Sequence, residues 1–106
     1  MRLLFDQGTP VPLRAHLTKH EVSTVFELGW SSLANGELLG RAESAGYAGF
    51  VTTDQNLKYQ QNLPNRRIAV AVLLTTSWPR IERHAAVVVA ELDKLTSGAF
   101  VEIEIP

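Results

Sequence analysis

Short runs of apolar residues alternate along the chain with segments whose apolar positions follow a helical period. The run at 68–75 (IAVAVLLT) is apolar almost throughout, which suits a parallel strand covered on both faces. The final run alternates apolar and acidic residues (FVEIEI), so we expect it at an edge of the sheet. The pattern predicts strands at residues 2–5, 21–26, 50–52, 68–75 and 100–105.

Helices are predicted between these strands. Asn35 is a suitable N-cap and Gly46 a suitable stop for one helix, and Pro79 and Gly98 bracket a longer one. Apolar residues of the longer helix recur at intervals of four and three, which places them on one face. The predicted helices cover residues 10–18, 35–45, 56–61 and 79–97.

Alternation of strands and helices predicts a parallel sheet with helices on both faces. We therefore expect one domain over residues 1–106, an α/β protein with a three-layer α/β/α, Rossmann-like fold and a five-stranded, mostly parallel sheet. The direction of the last strand stays open. Its alternating pattern suits an antiparallel edge, while the long helix before it permits a parallel crossover.

Composition narrows the range of functions. The 106 residues include no cysteine, which excludes disulfides, thiolate metal sites and a cysteine nucleophile. The formal net charge is −1, so binding of nucleic acid would need a local basic patch. No apolar run approaches the roughly 18 residues of a membrane span, and the opening apolar run is too short for a signal peptide. We expect a soluble, cytoplasmic protein.

Three acidic residues are predicted to share one edge of the sheet. Asp6 ends the first strand, Asp54 follows the third, and Glu37 lies in the first turn of the helix that begins at Asn35. Ligands of open parallel sheets bind at the carboxyl ends of the strands. Clustered carboxylates repel one another unless a cation neutralises them, and their hard oxygen atoms suit Mg²⁺ or Mn²⁺. The alternative is structural, because acidic residues at such places also cap helices and turns.

Three basic residues have two interpretations each, and one of them, Lys58, lies near Asp54. Lys58, Arg66 and Arg67 could contact an RNA phosphate, or they could belong to solvated helix and loop surfaces. The sequence contains no P-loop, no GxGxxG and no GxSxG motif. The acidic edge is therefore the leading candidate for chemistry.

Two stretches of the chain resemble a known family. The opening LLFDQGTPVPL and the segment HEVSTVFELGWSSLANGELLGRAESAGYAGFVTTDQNL resemble, in order and spacing, the motifs of small PIN-like proteins of the DUF5615 group. The resemblance covers about residues 1–63. It implies a VapC-like ribonuclease that depends on Mg²⁺ or Mn²⁺, cleaves RNA and acts as the toxin of a toxin–antitoxin pair.

The resemblance also implies roles for individual residues. Asp6, Glu37 and Asp54 match the acidic residues that hold the metal and carry catalysis. Thr52 matches a hydroxyl residue two positions before the last of these, and Thr52 and Asn56 would support the metal through water or hydrogen bonds. An antitoxin protein is the implied partner. A homodimer is a further hypothesis, because helix 79–97 carries more apolar residues than one face requires.

Three neutral residues stand where such proteins commonly have acidic ones, namely Gln7, Asn35 and Asn56. A site with less negative charge should hold a divalent cation less tightly. Two alternatives therefore stay open. One is a PIN-like binding module with a weakened site that acts through a protein partner. The other is an unrelated Rossmann-like receiver or small-ligand domain, in which the acidic residues would not converge.

Overall fold

Five parallel strands form the centre of the molecule. The computed structural model describes residues 1–59 and 66–106. All neighbouring strands pair in parallel, in the order β2-β1-β3-β4-β5. This confirms the predicted five-stranded sheet and shows that the last strand is a parallel edge strand. The strands are β1 (Arg2–Phe5), β2 (Glu21–Thr24), β3 (Gly49–Thr52), β4 (Ala69–Leu73) and β5 (Phe100–Ile103).

Helices cover both faces of the sheet, as the sequence predicts. The α-helices are α1 (Asn35–Ser44), α2 (Trp78–Arg83) and α3 (Ala85–Asp93), and two 3₁₀ helices lie at Val11–His16 and Leu57–Tyr59. The end of the helix predicted at 56–61 lies outside the described residues. None of the helices within residues 1–59 and 66–106 has the length and apolar character needed to cross a membrane.

The sheet separates two apolar cores. The first 3₁₀ helix, α2 and α3 pack on one face, while α1 and the second 3₁₀ helix pack on the other. Consecutive residues of β1 alternate between them, because Leu3 enters the first core and Leu4 the second. Every residue of β4 is buried, which explains why its sequence is a continuous apolar run.

Two predicted helices differ from the structure in form. The segment predicted as a helix at 10–18 is a 3₁₀ helix, in which Leu13 N donates to Pro10 O at 3.1 Å. The same spacing recurs where Leu17 N donates to Arg14 O at 3.1 Å, so the bonds that close this segment join residues three apart, as in a 3₁₀ helix. The single helix predicted at 79–97 is wrong, because the chain breaks at His84 (φ −117°, ψ 23°) into α2 and α3. The apolar face continues across the break, so the periodicity does not reveal it.

Candidate functional site

The candidate site lies where β1 and β3 end side by side. The strand order places their carboxyl ends at the switch point of the sheet. The segment after β1 packs on one face and the segment after β3 on the other. Crevices at such a point are where parallel α/β sheets bind ligands. Asp6 is fixed against β3 here, because its backbone N donates to Val51 O at 2.9 Å.

A buried threonine connects the two aspartates. Thr52 is fully buried at the end of β3. Its Oγ1 donates to Asp6 Oδ2 at 2.8 Å and accepts a hydrogen bond from Asp54 N at 3.1 Å. One hydroxyl therefore fixes the position of both aspartates. The two strand-end aspartates predicted to share an edge do lie together.

The remaining contacts of the two carboxylates are also with neutral groups. Asp6 Oδ1 accepts from Gln7 N at 2.9 Å, and Asp54 Oδ1 accepts from Asn56 N at 3.0 Å. The hydrogen bond from Asn56 N closes a turn of the kind that aspartates often form. Asp54 therefore also caps a turn, which is the structural alternative that the sequence left open. Each carboxylate oxygen has two lone pairs, so one hydrogen bond leaves room for a second ligand.

Asn35 contacts the site through its side chain and does not cap the helix. The prediction that it is the N-cap of α1 is wrong, because Ala34 is the cap residue and makes no side-chain capping bond. Asn35 is the first helical residue, and its side chain donates from Nδ2 to Asp54 Oδ2 at 3.4 Å. The helix start thus contributes an amide group to the site.

Glu37 does not join the two aspartates in this structure. Its side chain is 60% exposed and lies 3.8 Å from Arg41 Nη2, one turn further along α1. Within residues 1–59 and 66–106, no three or more His, Cys, Asp or Glu side chains are grouped so that they could hold a metal ion. The convergence of three carboxylates expected from topology is therefore not found there. Topology brings α1 to the correct edge, but the helix directs Glu37 towards Arg41.

Two of the three basic residues predicted as phosphate contacts, Arg66 and Lys58, bind other groups of the protein. Arg66 donates from Nη2 to Gly36 O at 2.8 Å and lies 3.9 Å from Glu43. Lys58 lies 3.3 Å from Glu102 on β5. The side chain of Arg67 makes no hydrogen bond or ion pair within the described parts of the chain, although its backbone N donates to Glu43. Arg66 thus supports α1, while Arg67 remains accessible at the surface.

Asp6 and Asp54 differ from the other half-buried carboxylates. Glu43 lies 3.9 Å from Arg66, and Glu91 lies 3.7 Å from Lys94. No basic group among residues 1–59 and 66–106 lies within the 4.0 Å of an ion pair from Asp6 or Asp54. Two negative charges at the switch point therefore lack a cation from the described protein.

A neighbouring ion pair shows the contrast. Arg14 Nη1 donates to Glu27 Oε1 at 2.8 Å, and Thr24 N donates to the same oxygen at 2.9 Å. The hydrogen bond from Arg14 is the main reason why the pKa of Glu27 lies below its ordinary value of 4.5, and the hydrogen bond from Thr24 N is the second. The sequence gives no sign of this pair, because Arg14 and Glu27 meet only after β2 aligns beside β1.

Comparisons with models of known protein families, with curated proteins and with solved structures found no match.

Proposed function

We propose that the protein is a PIN-like ribonuclease that depends on Mg²⁺ or Mn²⁺ and hydrolyses RNA phosphodiester bonds at Asp6 and Asp54. The observation that carries the proposal is the pair of half-buried aspartates at the switch point, connected by Thr52. Neither has a cationic partner in the described part of the chain. A divalent cation would compensate both charges.

The donor set fits Mg²⁺ or Mn²⁺ better than other metals. Mg²⁺ keeps several waters and is usually held by one or two carboxylates together with substrate phosphates. Zinc sites prefer nitrogen and sulfur ligands, and calcium needs about 6–8 oxygens. Two carboxylates with neutral amide and hydroxyl neighbours match the first case. Glu37 would add a third carboxylate only by leaving Arg41, and an exposed pair of this kind contributes about 0–1 kcal/mol.

The side chains around the aspartates have positioning roles in this proposal. A bound metal would polarise a phosphoryl oxygen and activate a water molecule. Thr52 holds Asp6, and the Asn35 amide holds Asp54, in the way that outer hydrogen bonds orient metal ligands. Asn56 contributes its backbone amide to Asp54. Lys58, if it leaves Glu102, would contact the RNA backbone near the aspartates. Arg67 lies at the other end of the sheet, where β4 begins, and would contact only RNA that extends around the molecule.

The biological role follows from the sequence resemblance. In that role the protein is a cytoplasmic toxin, and an antitoxin protein inhibits it. The homodimer hypothesis now depends on α3, where Val87 is 54% exposed while Val88 is fully buried. Gel filtration at several concentrations tests it, and a molecular mass that stays that of one chain throughout would contradict it.

Cleavage of RNA in Mn²⁺ and in EDTA tests the proposed activity directly. We expect cleavage only with the metal, and a loss of at least about 100-fold in Asp6→Asn and in Asp54→Asn, since even outer partners of a metal ligand are worth about 10–100-fold. Glu104→Gln is the control, because it removes an exposed carboxylate at the far edge of the sheet. Cleavage in EDTA, or unchanged cleavage in both aspartate variants, would contradict the mechanism.

A binding module is the second candidate. The hydrogen bonds that all four carboxylate oxygens accept from the protein favour it, as do the neutral residues Gln7, Asn35 and Asn56. In this case the aspartates stabilise the fold, and the protein acts by binding a protein partner. It predicts a folded protein that neither cleaves RNA nor binds Mn²⁺ at millimolar concentration.

The strand order favours a third candidate, a receiver or small-ligand domain. The order β2-β1-β3-β4-β5 is that of flavodoxin-like folds, which bind their ligand between β1 and β3. A receiver would accept a phosphoryl group on Asp54 from a small donor such as acetyl phosphate. Mass spectrometry after incubation with acetyl phosphate and Mg²⁺ distinguishes this case, and an unmodified Asp54 contradicts it.

A further inference from the structure

A pocket adjoins Asp6 on the side away from Asp54. It lies beyond the carboxyl ends of β1 and β2 and has a volume of about 500 Å³. Small-ligand pockets typically have volumes of about 300–1,000 Å³. The volume of this pocket lies in that range, so the pocket can hold a single nucleotide unit. Asp6 belongs both to this pocket and to the proposed hydrolytic site. Whatever fills the pocket therefore lies next to the atoms proposed to react.

An exposed aromatic ring borders the pocket. Phe26 follows β2 and is 78% exposed, the most exposed large apolar side chain within residues 1–59 and 66–106. Val11, which is also exposed, lines the same pocket. Together they give the pocket an apolar surface to which a planar ring can bind.

The polar residues of the pocket are suited to a base rather than to a phosphate. The charge of Arg14 is compensated by Glu27, with which it forms a 2.8 Å ion pair. The Gln7 side chain makes no hydrogen bond to any described residue, and it offers both donors and an acceptor. Unpaired bases are typically recognised by an aromatic ring for stacking and polar groups at the base edge.

We propose that this pocket binds an unpaired nucleobase of the RNA substrate, which stacks on Phe26 and hydrogen-bonds to Gln7. This inference rests on the proposed function, since it places the base beside the phosphate that the aspartates would hold. The occupant is RNA rather than a protein partner, because the pocket shares Asp6 with the hydrolytic site. The protein therefore selects single-stranded RNA, in which a base is free to leave the stack.

Binding of a fluorescent RNA tests the inference without any metal. The probe is a single-stranded RNA hexamer with one internal 2-aminopurine, titrated in EDTA so that metal-dependent cleavage cannot occur. Stacking on Phe26 should quench the fluorescence of the wild-type complex. We expect Phe26→Ala to lose the quenching and to bind at least about fivefold more weakly, as for other base–aromatic contacts. Phe26→Tyr should retain both.

Phe100→Ala is the matched control, because Phe100 is an exposed phenylalanine on β5 at the opposite edge of the sheet. Its binding and quenching should equal those of the wild type. Gln7→Ala should keep the quenching but bind hexamers of different bases with more similar affinities. Equal binding and quenching by Phe26→Ala and wild type would overturn the inference, and a surface for a protein partner would then be favoured.

Cleavage by the same variants separates this inference from the proposed activity. With Mn²⁺, Phe26→Ala should raise KM at least about fivefold while the metal dependence stays that of the wild type. Metal-dependent cleavage with an unchanged KM would contradict the proposed base site but support the proposed ribonuclease activity. Quenching that depends on Phe26, without any cleavage of RNA, would contradict the proposed ribonuclease activity but support the proposed base site.

Discussion

The two ends of the sheet use their charged residues in different ways. At the end where the strands begin, Glu43 accepts hydrogen bonds from the backbone N of Arg67 and Ile68, and it lies 3.9 Å from Arg66. At the end where β1 and β3 finish, Asp6 and Asp54 accept hydrogen bonds only from neutral groups of the described chain.

This difference separates charges that stabilise the fold from charges that are available for a ligand. A half-buried carboxylate with an arginine partner and two amide donors, such as Glu43, has its charge compensated by the protein. Asp6 and Asp54 are also half-buried but have no such partner in the residues described. Removing Glu43 should therefore cost stability, whereas neutralising the aspartates should cost activity.

The largest effect after loss of an aspartate is expected at Thr52. Thr52→Val removes the hydroxyl that connects Asp6 and Asp54 while keeping the shape of the side chain. We expect the affinity for Mn²⁺ to fall by about 10–100-fold, because groups that orient metal ligands have effects of this size. Calorimetric titration measures it. Thr52→Ser retains the hydroxyl and is the control, so equal losses in both variants would show that packing rather than orientation matters.

Glu43→Ala should destabilise the fold without affecting cleavage. It leaves the half-buried N–H of Ile68 without an acceptor and Arg66 without its carboxylate partner. The free energy of unfolding should fall by about 1–3 kcal/mol. Urea denaturation measures it, with Glu104→Gln as the control. A loss of cleavage in a sample that is still folded would show that the two ends of the sheet are not independent.

Arg66→Lys should have a smaller effect of the same kind. Lysine keeps the charge but cannot reproduce the guanidinium contacts that reach both Gly36 O and Glu43. We expect a loss of about 0.5–1.5 kcal/mol in the free energy of unfolding and unchanged RNA affinity. Arg67→Lys is the control, because it makes the same substitution at the neighbouring arginine. If RNA binding falls while stability stays constant, Arg66 is a phosphate contact after all.

The smallest effect is expected from the Arg14–Glu27 pair, which should appear as a dependence of stability on pH. Because the pKa of Glu27 is lowered in the fold, its contribution is present above the ordinary value of 4.5 and is lost as the pH falls below it. The difference in Tm between wild type and Glu27→Gln should therefore shrink between pH 7 and pH 3. A difference that is constant with pH would show that the pair does not contribute through charge.

The sheet could be predicted from the sequence because burial determines its pattern. The apolar run that contains β4 is buried on both faces, and Gly46 ends α1 with a positive φ of 90°. The direction of β5 could not be decided, since its alternating pattern suits an antiparallel edge while the helical segment before it permits a parallel crossover. The break at His84 gave no signal, because no glycine or proline marks it and the apolar face continues through it.

The site was predictable only in part. Asp6 and Asp54 follow directly from strand ends and topology, so their meeting at one edge needed no side-chain detail. Strand order does not show in which direction a helical side chain points. In α1, that direction separates Glu37 from the aspartates and brings Asn35 to them. Phe26 gave no signal as a surface residue, because a phenylalanine after a strand is usually part of a core.

Calorimetric titration with Mn²⁺ measures whether the negative charge of Asp6 and Asp54 binds a cation. The wild type should bind one Mn²⁺ per chain, and Asp6→Asn combined with Asp54→Asn should abolish the binding while the melting temperature stays within a few degrees. Glu43→Gln, at the other end of the sheet, should bind Mn²⁺ like the wild type. A wild type that binds no Mn²⁺ at millimolar concentration, or a double variant that binds it equally well, would contradict the account.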